Sequence, residues 1–362
     1  MKKIKVDLGE RSYNINIGKG ALSLAGKIIR AVSRSKACFV VSNKKVASLY
    51  AGTLKTSLKS AGFETMFFNV ADSESAKSYA SWLRVVKSLA RFDKGKGACL
   101  VSLGGGVVGD LGGFAAATYR RGIDFVQIPT TLLAQVDAAI GGKVAIDLDF
   151  AKNLIGAFYQ PKAVITDVGA LKSLPMRQVR NGLSEVIKYA VIFDKTLFSY
   201  LEKNMADILS LNADCLAYIV ARCSRLKAEV VSADEQETKG YRSILNFGHT
   251  IGHAIESAAS YSSSIHHGEA VAIGMLAAFD IAVSIGIADT SSAERLKNIL
   301  KSVGLPLKIK RISPSSILSA TLYDKKTING KRRWILPESI GHAVVCGNVP
   351  AGIIRRAVLK CY

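Results

Sequence analysis

The chain has 362 residues, 49% of them hydrophobic, and its 49 Lys and Arg against 28 Asp and Glu give a formal charge of +21. That length exceeds the usual span of one compact domain, and no apolar run reaches the roughly 18–20 uncharged residues of a bilayer crossing, so two domains and no membrane partner are expected. The charge would suit nucleic acid, anionic surfaces or acidic small substrates, but basic residues are spread along the whole chain and the densest cluster, near Lys331-Arg332-Arg333-Trp334, is short, which argues against a nucleic-acid partner.

Met1 to Asp7 alternate like a strand where a signal peptide would place an uninterrupted apolar segment, so no export is expected. Residues 37–41, 64–70, 98–103 and 125–128 are short apolar or β-branched runs separated by helix-like stretches, the alternation of an α/β sheet. After Leu174-Pro175 the texture changes. Leu216, Ile219, Val220, Cys223, Leu226 and Val230 follow a helical period, and 270–288, interrupted by Asp280, reads as a buried helix. The expectation is an α/β N-terminal domain with a Rossmann-like parallel sheet, residues 1–175, and an all-α C-terminal domain, residues 176–362. The six cysteines show no paired short spacing and lie mostly among apolar neighbours, which favours reduced thiols and a cytoplasmic protein.

Leu103 ends an apolar run and Gly104-Gly105-Gly106-Val107-Val108-Gly109-Asp110 follows before a helix-like stretch. Glycines there let backbone N–H groups approach a pyrophosphate, and the helix N-terminus favours negative charge. A plain tight turn with close helix packing satisfies the same pattern. The usual dinucleotide fingerprint sits on the first strand, whereas here at least two strands precede it.

Four of the five histidines fall between 249 and 267, and His249 and His253 stand one helical turn apart. Imidazoles with a carboxylate suit zinc or a similar divalent ion. Glu185 is the best carboxylate candidate because an otherwise apolar helix-like segment surrounds it; an ion pair with Lys188 explains it equally, and spacing does not choose. Lys227 falls at the edge of its helix's apolar stripe and so needs an anion, either an internal carboxylate or an acidic ligand. Arg242, just before Leu245-Asn246, has the fork that suits carboxylate or phosphate. Loop cations beside glycines, in Asp137-Ala138-Ala139-Ile140-Gly141-Gly142-Lys143 and Lys152-Asn153, are what phosphate capture would use.

Taken in order, the glycine turn, Pro129-Thr130-Thr131-Leu132-Leu133, Gly141-Gly142-Lys143, Lys152-Asn153, Glu185-Val186-Ile187-Lys188 and Asn246-Phe247-Gly248-His249-Thr250-Ile251-Gly252-His253 resemble the motif series of the 3-dehydroquinate synthase family from about residue 40 to 330. The resemblance implies NAD, one divalent metal ion (zinc or cobalt), a phosphorylated sugar-acid substrate and a homodimer. Its metal ligands would be Glu185, His249 and His267, with His253 left to face substrate. NAD would contact Asp72, Glu74, Lys77, Gly105, Gly106, Val107, Val108, Gly109, Asp110, Thr130, Thr131, Leu133, Lys143, Lys152, Ala170, Leu171, Lys172 and Ser173. Substrate would meet Asp137, Lys143, Asn153, Lys188, Lys227, Arg242, Asn246 and His253, with Lys325 or Lys326 closing over the phosphate and Arg121 reaching the partner subunit's site. Asn43 departs from the family's common aspartate. The implied activity is closure of 3-deoxy-D-arabino-heptulosonate 7-phosphate to 3-dehydroquinate with loss of phosphate. A related cyclase of the 2-deoxy-scyllo-inosose synthase type and a metal-dependent polyol dehydrogenase are the rival readings.

Overall fold

Continuous apolar runs bury both faces of a strand, and a parallel sheet covered by helices is where such strands fit. The computed structural model describes every residue except 96, 260–263, 311, 324–326, 329, 330 and 348. It divides the chain into two units, one formed by Met1–Leu174 and Leu216–Gln236, the other by Pro175–Cys215 and Glu237–Tyr362.

In the first unit the strands are β1 (Lys2–Val6), β2 (Tyr13–Gly18), β3 (Ala37–Asn43), β4 (Glu64–Val70), β5 (Ala98–Gly104), β6 (Phe125–Pro129), β7 (Lys143–Leu148), β8 (Ala151–Phe158) and β9 (Ala163–Asp167). Seven of them form one sheet in the order β1-β2-β9-β6-β5-β3-β4, while β7 and β8 make a separate antiparallel hairpin. Only β1 and β2 pair antiparallel within the large sheet. Every residue of β3 and β5 is buried, which is why their sequences read as unbroken apolar runs. The helices are α1 (Ala25–Val32), α2 (Lys44–Ser60), α3 (Tyr79–Asp93) and α4 (Gly106–Thr118).

From β3 the chain steps outward to β4, returns past β3 to β5, and continues through β6 to β9. Strand order therefore reverses between β3 and β5, and loops that diverge from the carboxyl ends of two such strands leave a crevice. Asn43 ends β3 and Gly104 ends β5.

The second unit contains α5 (Met176–Phe193) and α6 (Lys195–Leu209). The next helix, α7 (Ala213–Ala233), belongs to the first unit from Leu216 onward. A single division at residue 175 therefore assigns this helix to the wrong side: periodicity locates a helix but not the core that receives its stripe. The chain then returns to the second unit for α8 (His249–Ala258), α9 (His267–Ser284), α10 (Thr290–Val303), α11 (Pro314–Tyr323) and α12 (Ala351–Lys360). A three-stranded sheet of β10 (Thr327–Ile328), β11 (Lys331–Ser339) and β12 (His342–Gly347) lies between α11 and α12 in sequence, so this unit is helical but not all-α. Helix α9 is long and apolar enough to cross a membrane by composition, but it packs against α5, α8, α10, α12 and β11 and is mostly buried. It is the core helix of its unit.

Candidate nucleotide and metal centres

Within the first unit, the glycines after β5 do two different jobs. A Cβ on Gly112 would lie 2.1 Å from Ser102 Oγ, and one on Gly109 would lie 2.6 Å from Gln127 Oε1. These two let α4 lie close on β5 and β6. Gly106 would meet nothing nearer than Ala138 Cβ at 3.5 Å, so packing does not demand its missing side chain. Its position at the start of α4, at the switch point, suits the close approach of an anionic ligand to backbone N–H groups.

Around this turn the sequence-predicted nucleotide residues come together on Lys77. Its ammonium is buried, donates to Asp110 Oδ2 at 2.8 Å and to Asn153 Oδ1, and lies 4.0 Å from Glu74 and 3.9 Å from Asp147. Burial opposes the charge on Lys77, yet Asp110, and then Glu74 and Asp147, outweigh it and hold its pKa above the usual value. Burial also pushes Asp110 up to about 6, against the lowering influence of Lys77. Lys152 reaches Glu74 at 3.4 Å. Asn43 caps α2 through Val46 N and donates its amide to Asp72 at 2.8 Å. An asparagine at this position therefore both starts the helix and holds Asp72.

Thr130 N donates to Gly104 O and joins the ends of β5 and β6, and Thr131 Oγ1 accepts from Ala134 N. Ala170 O accepts from Tyr50 OH on α2, with Leu171 buried and Lys172 and Ser173 exposed. Val107, Val108 and Leu133 lie on the first turns that follow β5 and β6, and Lys143 begins β7 with an exposed side chain. Lys227 meets the anion its position required: its Nζ donates to Asp137 O and Oδ1, both at 2.7 Å. Arg121 stands in an exposed turn where Arg120 and Arg121 both adopt left-handed backbone, at φ 51° and 65°.

Within the second unit, the metal candidates converge. Glu185 lies on α5 one turn after Asn181, whose Oδ1 accepts from Gly268 N at 2.5 Å. A Cβ on Gly268 would lie 2.2 Å from Asn181 O, so glycine is what lets the start of α9 approach α5 this closely. That contact sets His267, the first residue of α9, over Glu185: His267 Nε2 lies 3.6 Å from Glu185 Oε1 and His249 Nε2 lies 3.7 Å from the same oxygen. Ligand atoms arranged tetrahedrally at zinc distances stand about 3.3–3.6 Å apart. The spacing therefore fits three donors around one ion and is too long for direct hydrogen bonds.

The tautomers agree. His249 Nδ1 lies 3.0 Å from Phe247 O, an acceptor, so Nδ1 carries the hydrogen and Nε2 the lone pair. Burial, then the charge of Lys188, holds His249 well below its usual pKa, which keeps it neutral and able to ligate. Burial opposes charge on His267 too, but the neighbouring carboxylates of Glu185 and Glu256 outweigh it and carry its pKa to about 10. Two carboxylates thus make this position attractive to a cation. Lys188 is buried against Glu185. Of the alternatives left open by spacing, the ion pair is present, and the same carboxylate also lies at ligand spacing from His249 and His267.

His253 is not among the donors at Glu185; its ring centre lies 5.2 Å from that of His249 and 6.0 Å from that of His267. Arg242 is buried on a short helix, Tyr241–Asn246, that ends at Asn246. Lys325 and Lys326 lie outside the described residues. Glu256, 3.2 Å from His267 Nδ1, was not singled out by sequence reasoning; its place three residues after His253 on the same helical stretch was the available signal.

A parallel sheet with a glycine turn at its switch point, joined in one chain to a unit with a two-histidine, one-carboxylate donor set, defines a class of proteins equipped for a nucleotide and a divalent ion. The family profile described as 3-dehydroquinate synthase N-terminal matches residues 67–181, and that described as 3-dehydroquinate synthase C-terminal matches residues 182–327. A 3-dehydroquinate synthase of Thermodesulfovibrio yellowstonii is 46% identical over 342 residues, covering 94% of this chain and 95% of that one. The chain belongs to the 3-dehydroquinate synthase family. Among solved structures, 2-epi-5-epi-valiolone synthase from Streptomyces hygroscopicus, with NAD+ and Zn2+ bound, superposes with a TM-score of 0.88 at 28% identity over 98% of both chains. A 2-deoxy-scyllo-inosose synthase complexed with carbaglucose-6-phosphate, NAD+ and Co2+ gives 0.88 at 25% identity over 100% of both.

Proposed function

We propose that the protein converts 3-deoxy-D-arabino-heptulosonate 7-phosphate to 3-dehydroquinate and phosphate, using NAD and one divalent ion. The observation that carries this is the Glu185, His249 and His267 donor set, spaced for one ion, in a chain of this family. Glu185, His249 and His267 would hold the ion, and the cluster of Glu74, Lys77, Asp110 and Lys152 with the Gly105–Gly106 turn would hold NAD. NAD would supply reversible hydride transfer and the ion would supply Lewis-acid polarisation of substrate oxygens.

The remaining roles belong to the chain. By the family resemblance, Lys143, Asn153 and His253 would each serve to stabilise the charge of the departing phosphate, which leaves by β-elimination. Burial and the charge of Lys188 keep His249 neutral, and Phe247 O, holding its Nδ1 hydrogen, leaves Nε2 free to ligate. Lys188 balances the Glu185 carboxylate in a place with little water. By the same resemblance, Arg242 and Lys227 would serve the substrate carboxylate; Asp137 holds the Lys227 ammonium in place. Ring opening and intramolecular aldol closure follow, with the site holding geometry. A second copy of the chain, approached through Arg121, completes the functional form. Six free cysteines support placing the protein in a reducing compartment such as the cytoplasm.

Of the rival readings, the inosose-type cyclase is less supported, since the matching structure is 25% identical where the 3-dehydroquinate synthase relative is 46% identical. The test is phosphate release from the heptulosonate phosphate, with and without chelator, while the nicotinamide absorbance is followed. Expected are chelator-sensitive phosphate release and no net absorbance change. Steady accumulation of NADH with no phosphate would point to a polyol dehydrogenase and end this reading.

A further inference from the structure

We infer that Glu256 is the residue that orients His267, its Oε2 accepting the Nδ1 hydrogen and so committing Nε2 to the ion held with Glu185 and His249. This rests on the metal reading above and names a residue that reading does not use. The two contacts of His267 differ in kind: Nδ1 stands 3.2 Å from Glu256 Oε2, whereas Nε2 stands 3.6 Å from Glu185 Oε1. The first has hydrogen-bond length; the second is longer than a hydrogen bond and matches the separation that two ligands of one ion would have. A neutral imidazole has one lone pair, so a carboxylate on Nδ1 decides which nitrogen can ligate.

His249 is treated the same way by a different acceptor, since Phe247 O takes its Nδ1 at 3.0 Å. Both histidines therefore offer Nε2, one fixed by a backbone carbonyl and one by a carboxylate. Glu256 is placed for this by α8 itself: seven residues after His249, it lies two turns on along the same face. Its side chain is 13% exposed against 30% for His267, so the bond is sheltered on the carboxylate side. A competing arrangement uses the same atoms, because His253, Glu256 and His267 also lie within 4.8 Å of one another and could hold an ion of their own. The hydrogen-bond length between Glu256 and His267 favours orientation over ligation.

The test is zinc titration of the metal-free protein against a competing chelator, for the parent, Glu256→Ala and Glu256→Gln, with cobalt absorption spectra and 15N shifts of the His267 ring. One ion per chain is expected throughout. Glu256→Ala should weaken zinc about 10–100-fold. Glu256→Gln, whose amide oxygen still accepts from Nδ1, should be weakened less and should keep the parent's cobalt spectrum and ring tautomer. Urea unfolding of the metal-free variants checks that they fold; if the alanine variant does not, the glutamine variant and its spectra decide. Zinc binding by Glu256→Ala as tight as the parent's would overturn the orienting role alone. A second ion in the parent that both variants lose, or a cobalt spectrum altered by Glu256→Gln, would make Glu256 a ligand instead. A parent that takes up no zinc would defeat the metal reading and this inference with it.

Discussion

Replacing Gly274 with alanine should damage the metal centre from a distance, because Gly274 is where α9 touches α8. A Cβ there would lie 2.0 Å from Gly248 O, 2.9 Å from Gly252 N and 3.0 Å from Gly248 C. All three are backbone atoms, so no side chain can swing aside. Ordinary contact begins at 3.4 Å, and the two helices would have to separate by about 1.4 Å in a core packed like a crystal. Overpacking of this kind costs about 3 kcal/mol. At about 2–4 °C per kcal/mol for a unit of this size, the melting temperature should fall by about 6–12 °C. The metal should suffer more. His249 rides on α8 and His267 on α9, and ligand distances tolerate only about 0.2 Å, so zinc affinity should fall by about 100-fold or more. Differential scanning calorimetry of the metal-free protein and chelator competition measure the two effects. Gly52→Ala is the control: Gly52 lies within α2, nothing comes within 4 Å of its added Cβ, and the change should stabilise by about 1 kcal/mol. If Gly274→Ala melts within about 2 °C of the parent and binds zinc as tightly, backbone contact between these helices does not set the ligand geometry.

Asp110 should give the first unit a pH-dependent stability. Its folded pKa of about 6 lies above the usual 3.8, so its contribution is fully present below pH 3.8 and is lost as pH rises through about 6. Asp110→Asn should remove that loss, on the order of 1–3 kcal/mol, and urea midpoints measured across this range for both proteins should converge only at the acid end; parallel profiles would refute it. Glu185→Gln should abolish tight zinc binding and also destabilise the metal-free protein by about 3–5 kcal/mol, because it removes the anion beside buried Lys188. Adding Lys188→Met should restore most of that stability without restoring zinc, and a double variant no more stable than the single one would show that the pair is not the cause.

The sequence by itself determined the strands whose burial is complete and the donors whose chemistry is rare. Residues 37–41 and 98–103 read as strands because β3 and β5 are apolar on both faces, Glu185 stood out as a carboxylate in an apolar segment, and His249 as one of four histidines crowded between 249 and 267. Strands that alternate or that lie in hairpins, such as β7, β8 and β12, gave no comparable run, and the second unit's sheet was missed for that reason. Tertiary structure alone decided three things. It returned α7 from Leu216 onward to the first unit and paired Lys227 with Asp137, ninety positions away. It separated the glycines that let helices pack from those that leave room for a ligand. It also distinguished the acceptor that fixes a histidine ring from the atoms that face an ion, since helical spacing records which residues share a face but not which nitrogen, 3.2 or 3.6 Å from a carboxylate, does which task.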